Sequence, residues 1–416
     1  MATAGFTGPA AAPGRDVALV GGRVVPVVGD VLERGTVLVR DGRISAVGRV
    51  EDVGLPDGVP VHDTTGRWVL PGFVEVHAHV GIYEDGEDWP GRDHNETTSP
   101  VTSRLRAMDG VNPADIAFVD ALGGGVTSVV VKPGSANVVG GRTVALKTWG
   151  RTVDDMCFRE PASIKSALGE NPKRVYGDKK MLPSTRMGVA AAVRDALERA
   201  RYFRLQTEQA AAKGEIGPPP DPTSETLLLA LEQGLPWCQH AHRADDIATA
   251  LRLAREFGYR LVLNHATEGH LLAAELAAAG VPCVVGPTLV SRSKVELRNR
   301  TLRTPALLHA AGVELALTTD HPVVPIGFLV HEATFAIKEG LPADVALRAI
   351  TVNPARFLGL DDRVGALVPG LDGDVVVWDG DPLDVMSRAL TTYVQGRRVY
   401  DFDPEKMVGR AADPWA

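Results

Sequence analysis

The stretch "WVLPGFVEVHAHVG", residues 68–81, decides how the rest of the chain is read. An apolar run turns at Pro71-Gly72, becomes a short strand and delivers two histidines separated by one alanine. Side chains alternate along a strand, so residues two apart share a face. Glu75, His77 and His79 therefore point one way, and Val74, Val76 and Ala78 the other. Two imidazoles side by side at a strand end suit a metal ion if further ligands arrive from elsewhere. Two solvated or hydrogen-bonded histidines are the plainer alternative.

Downstream, strands alternate with helices. "GGGVTSVVVKPGS" is a strand bounded by glycines, and "RMGVAAAVRDALERARYFRLQTEQAAAK" reads as a long helix. After the breaker "GPPPDP", helical stretches separate the strands "LPWCQHAH", "YRLVLNHAT", "VPCVVGP" and "VELALTTDHP". Glycines stand at most helix ends. This alternation predicts parallel strands with crossover helices. The number of units predicts a (β/α)8 TIM barrel over residues 70–360, with a doubly wound open sheet as the alternative. Val-rich strands with Gly-Gly, Gly-Asp and Asp-Gly turns fill residues 17–69, and the same texture returns over 361–406. Neither patch has enough strands to bury a core alone, so one composite β-sandwich domain from both chain ends is expected. Residues 1–16 are small and polar and read as a flexible arm.

The chain has 416 residues, 44% of them hydrophobic and 23% charged, which is ordinary for a globular protein able to bury a large core. Net charge is −8 without a basic run, which argues against a nucleic-acid partner. No apolar run is long enough to span a bilayer, so no membrane partner is expected either. The three cysteines lack CxxC spacing and fit a reduced, cytoplasmic protein. A homodimer is the default expectation for assembly.

In a barrel, chemistry belongs at the C-terminal strand ends. There the chain places His77 and His79, then His240 and His242, then His265, then Asp320 followed by His321. Four apolar runs ending in His or Asp, in chain order, point to a metal site. A second ion would need a bridging anion. The segment "PASIKSALGENPKRVYG" offers Glu170, or Lys165 after reaction with carbon dioxide; Glu170 needs no modification and is preferred.

Read together, "PGFVEVHAH", "NHATEGH" and "TTDHP" resemble the amidohydrolase superfamily. "GVTSVVVKPGSANVVGG", "ALGENPKRVYG", "STRMG" and "HAHRADDI" resemble its imidazolonepropionase-related branch. The resemblance runs from about Val17 to Asp401. It implies a metal-dependent barrel hydrolase of carbon–nitrogen amide bonds. His77 and His79 match ligands of the more buried ion, His240 and His265 the histidines of the fifth and sixth strands, and Asp320 the eighth-strand aspartate. His242 could ligate instead or face substrate. Glu75 stands where the family usually has Asp or Asn, in a supporting role. The resemblance implies one or two divalent ions, zinc first, with Mn, Co or Fe as alternatives.

In the chemistry this implies, Asp320 moves the proton of the attacking water, and His321, His242 or His270 stabilises the oxyanion. Arg186 in "STRMG" could hold a substrate carboxylate bidentately. Asn137, in the Gly-rich "KPGSANVVGG", and His94, in the irregular segment 81–113 over the mouth, are the other expected substrate contacts. The substrate is expected to be a small-molecule or peptide amide; the chain is similar to amidohydrolases that trim modified ribosomal peptides, as in bottromycin pathways. Alternatives are a deaminase, an imidazolonepropionase-like small-molecule hydrolase, or a non-catalytic scaffold that has lost its ligands. A nucleotide-binding enzyme is disfavoured, because no GxGxxG joins a first strand to a helix.

Overall fold

The computed structural model describes residues 14–415. It is an α/β fold whose strands form three sheets. The strand Phe73–Ala78 pairs in parallel with Val126–Val131. A second parallel run is Ile164–Ala167, Trp237–Ala241, Leu261–His265, Cys283–Val285 and Leu315–Leu317, each paired with the next. Between the two runs the chain crosses in the opposite direction. Val144–Lys147 pairs antiparallel with Val126–Val131, and Val139–Arg142 antiparallel with Ile164–Ala167.

A closed barrel of parallel strands was expected; among the described residues the parallel strands lie in two open sheets of four and six strands. The gap between the first and last strands is spanned by other contacts. His79 donates its backbone N–H to His321 at 2.9 Å, and Val74 donates to Ile350 at 2.9 Å.

The crossover helices fall where the sequence signals them. Arg186–Lys213 starts at Thr185, whose hydroxyl accepts the Gly188 N–H, and stops at Gly214 in the left-handed conformation. Pro222–Glu232 is capped by Asp221 with proline in its first turn, and Ala244–Phe257 ends at Gly258. Their buried faces pack on the strands around Leu197, Leu227, Trp237, Leu253 and Leu263.

Both chain ends enter the third sheet. Trp68–Pro71 pairs in parallel with Val17–Val24 on one side and antiparallel with Val375–Trp378 on the other. The sheet continues through Ala389–Val394, Arg397–Asp403 and Val408–Ala411. It is one nine-stranded sheet by its hydrogen bonds, and it reaches past both expected limits, to Pro71 and Ala411. Leu19, Val37, Val69, Val375 and Tyr393 belong to its own apolar cluster. Most of the expected N-terminal arm lies outside the described residues. Its last residues are tied down: Asp16 accepts from Arg40 at 2.8 Å and from the Asp41 N–H at 2.7 Å. Among the described residues, no helix is long and apolar enough to cross a membrane.

Candidate metal centre

Two groups of ligand-type side chains meet at the C-terminal ends of the strands. His77, His79 and Asp320 form one, and His240, His242 and His265 the other; within each group the ligand atoms lie within 4.8 Å of one another. Asp320 Oδ1 is 3.3 Å from His77 Nε2 and 3.4 Å from His79 Nε2. The His77 and His265 rings are 4.9 Å apart, so the groups adjoin.

Strand geometry delivers these side chains and neighbouring backbone orients them. His79 Nδ1 lies 2.7 Å from the Lys132 carbonyl, His265 Nδ1 2.8 Å from that of Gly286, and His242 Nδ1 2.7 Å from Thr267 Oγ1. Each contact leaves Nε2 facing the centre, the arrangement typical of metal-binding histidines. His265 and Asp320 sit at φ values of 71° and 50°. That left-handed conformation costs a non-glycine residue roughly 1–2 kcal/mol and is concentrated at functional sites.

Electrostatics agree with a cation site. Burial is the main force holding His77, His240 and His242 well below the usual imidazole pKa, and it brings His265 to about 4. All four are neutral at pH 7, with lone pairs free to ligate. For Asp320, burial pushes its pKa up, but the surrounding His265, His79 and Lys165 outweigh it and hold the carboxylate ionised. Four neutral imidazoles and an ionised carboxylate fit a divalent ion.

Between the groups lies Lys165, fully buried, with Nζ 2.9 Å from His77 Nε2. Burial, with Lys132 nearby, pushes its amine down to about 7 although Asp320 opposes.

Below the centre, buried Glu75 accepts four hydrogen bonds: from Thr318 Oγ1 at 2.6 Å, Thr319 Oγ1 at 2.7 Å, the Thr319 N–H at 2.8 Å and the His77 N–H at 2.9 Å. It links the strand bearing His77 to the residues leading into Asp320.

The amidohydrolase family profile matches residues 68–401. The chain belongs to the amidohydrolase family. Members are metal-dependent hydrolases that act on carbon–nitrogen bonds. The crystal structure of an amidohydrolase from Thermotoga maritima MSB8 is 42% identical, with a TM-score of 0.89, covering 92% of this chain and all of that one. Amidohydrolase tasK of Hapsidospora irregularis is 30% identical over 414 residues, covering 91% of this chain; the chain spans 40% of tasK's length. An imidazolonepropionase of Cupriavidus taiwanensis is 27% identical over 380 residues, covering 83% of this chain and 84% of its own.

A cavity of about 350 Å³ opens over the two groups. His94 lines it, stacked on Tyr83 with ring centroids 4.4 Å apart, and His242 lines it beside His240. Five expected residues lie elsewhere. Glu170 begins the helix Glu170–Asp178 and opens onto a separate basic pocket with Lys173 and Arg174. Asn137 spends its amide inside the protein, donating to the Glu96 carbonyl and Thr102 and accepting from Tyr176. Arg186 Nε donates to both Asp246 carboxylate oxygens, at 3.0 and 3.1 Å. The His270 ring rests near Thr304, and His321 Nδ1 accepts the Ile326 N–H at 3.2 Å.

Sequence reasoning also missed residues. Lys294, Asn171 and Tyr83 line the cavity, and Glu296 lies buried with Oε1 3.6 Å from His242 Nε2. Lys294 and Glu296 come from the N-cap and the single turn of the short 3-10 helix Val295–Leu297, where nothing local signals a site. Lys132 is fully buried with Nζ 3.3 Å from Cys238 Sγ; its place directly after the apolar strand Val126–Val131 was the available sign.

Proposed function

We propose that the chain hydrolyses an amide in a small-molecule or peptide-like substrate, using divalent metal held by His77, His79, His240, His265 and Asp320. The observation that carries this is the convergence of neutral, buried imidazoles and one ionised carboxylate under a single cavity. We also read the two open sheets as arcs of one (β/α)8 barrel. The hydrogen bonds from His79 to His321 and from Val74 to Ile350 support that reading.

Lys165 is the bridging residue in this account, in place of Glu170. Its proximity to His77 supports the choice. An amine pushed down to about 7 is substantially unprotonated at neutral pH and can attack carbon dioxide, losing one proton to become a carbamate. The carbamate would place two oxygens between the histidine groups.

A divalent ion there supplies a Lewis acid that acidifies water and polarises an amide carbonyl. Asp320 accepts the proton of the attacking water and returns it to the leaving nitrogen. His242, with Nδ1 engaged by Thr267, presents Nε2 to the cavity and steadies the oxyanion if that nitrogen carries a proton. A cavity of about 350 Å³ is at the small end for ligand sites, so a peptide would enter by its end.

Asp320→Asn keeps size and one oxygen but removes the base. Hydrolysis should fall by roughly 10²–10⁴ with folding intact. Near-normal turnover of a confirmed substrate by this variant would end the proposed mechanism.

A further inference from the structure

We infer that Lys294 selects substrates carrying a carboxylate next to the scissile amide. This rests on the amide-hydrolase reading above and adds a substrate class to it. Among the residues lining the cavity, Lys294 is the one lysine or arginine; Asp320 is the one carboxylate. The remaining wall is largely apolar or neutral, including Val290, Leu297, Pro322 and Val323. The one ammonium of this wall, only loosely ion-paired with buried Glu296 at 3.9 Å, can take up an anion, because a charge partly removed from water gains most from a close opposite charge.

The Lys294 ammonium is held but not used up. Nζ donates to Asn171 Oδ1 at 3.2 Å, and Asn171 Nδ2 donates in turn to Ser135 Oγ at 2.7 Å. Glu296 Oε1 is 3.9 Å from Nζ, beyond hydrogen-bond length, and is shared with His242. An ammonium has three N–H donors, so donors remain for a ligand.

Position sets the distance to the reaction. Asn171 Nδ2 is 3.5 Å from His240 Nε2, so Lys294 stands two polar contacts from the metal-binding histidines. In an N-acyl amino acid the carboxylate carbon is separated from the leaving nitrogen by one carbon. We therefore put the carboxylate on Lys294 and the neighbouring amide over the histidines, with Asn171 touching both sides. Arg186, the cation expected for this task, is occupied by Asp246 outside the cavity.

The test is a panel of dipeptides and N-acyl amino acids, each assayed as the free acid and as the methyl ester, with metal-loaded enzyme. Wild type should favour the acids by at least tenfold in kcat/KM. Lys294→Met should erase the preference by raising KM for acids roughly ten- to hundredfold, the range for a lost charged hydrogen bond, with esters little changed. Lys294→Arg should restore part of it, and thermal melts should show all three proteins equally folded. Equal use of acids and esters by wild type, or a preference that survives Lys294→Met, overturns the inference and leaves the hydrolase reading standing. If wild type cleaves no amide in the panel, the hydrolase reading for this class falls and the inference with it.

Discussion

Glu75 carries a carboxylate with no exposed surface, and four donors converge on it. Burial is nonetheless the larger influence and lifts its pKa from 4.5 to about 7. A carboxyl whose pKa rises on folding keeps its proton longer in the folded chain. Its stabilising contribution is therefore complete below about 4.5 and is lost as pH climbs through about 7. In metal-free protein, Glu75→Gln should remove that stretch of pH dependence, read as unfolding midpoints between pH 4 and pH 8. It should also cost roughly 1–3 kcal/mol, because an amide N–H₂ then faces donors that a carboxylate accepted. A variant as stable as wild type with the same pH profile would contradict this role. The histidines at this scale were legible because alternation along a strand fixes which residues share a face. Between Glu170 and Lys165, residue type favours Glu170, whereas position in the fold favours Lys165. Lys165 lies within the strand Ile164–Ala167, whereas Glu170 comes after its end and opens a helix.

Elements whose boundaries have local chemistry were also legible. Gly214, Gly258 and Gly280 stop helices where the sequence marks them. Partners were harder to read, because a Val-rich strand does not encode its neighbour. The antiparallel segments Val139–Arg142 and Val144–Lys147 went unrecognised for that reason. The second of them ends in Lys147, nearly fully buried, whose Nζ lies 2.6 Å from Asp374 and 2.8 Å from Asp372. Asp372 also takes two bonds from Arg363 at 2.9 Å. These charges join the strand Val144–Lys147 to the segment entering the terminal sheet at Val375. Lys147→Met leaves Asp372 with Arg363 and strands buried Asp374 with the Gln395 N–H and, among the described residues, no contacting cation. Breaking a buried pair from one side costs about 3–5 kcal/mol, which denaturant titration should detect. A loss under about 1 kcal/mol would mean that this contact does not hold the two sheets together.

For the whole molecule, the sequence supplied the α/β alternation, the sharing of a sheet by both chain ends and the convergence of the histidines. It did not supply the cavity wall. Lys294 arrives at the start of the short turn Val295–Leu297, whose path depends on tertiary packing, and Asn137 and Arg186 have polar types that serve internal bonds as readily as substrate. In the proposed mechanism, hydrolysis depends on metal held by His77, His79, His240, His265, Asp320 and Lys165. Counting metal per chain in purified wild type, Lys165→Met and Glu170→Gln, with amide hydrolysis followed before and after chelation, tests this dependence. Wild type and Glu170→Gln should hold divalent metal and Lys165→Met should clearly lose it, and hydrolysis should disappear with chelator and return when metal is restored. Full metal in Lys165→Met with loss in Glu170→Gln, or hydrolysis that persists in metal-free protein, would contradict that mechanism.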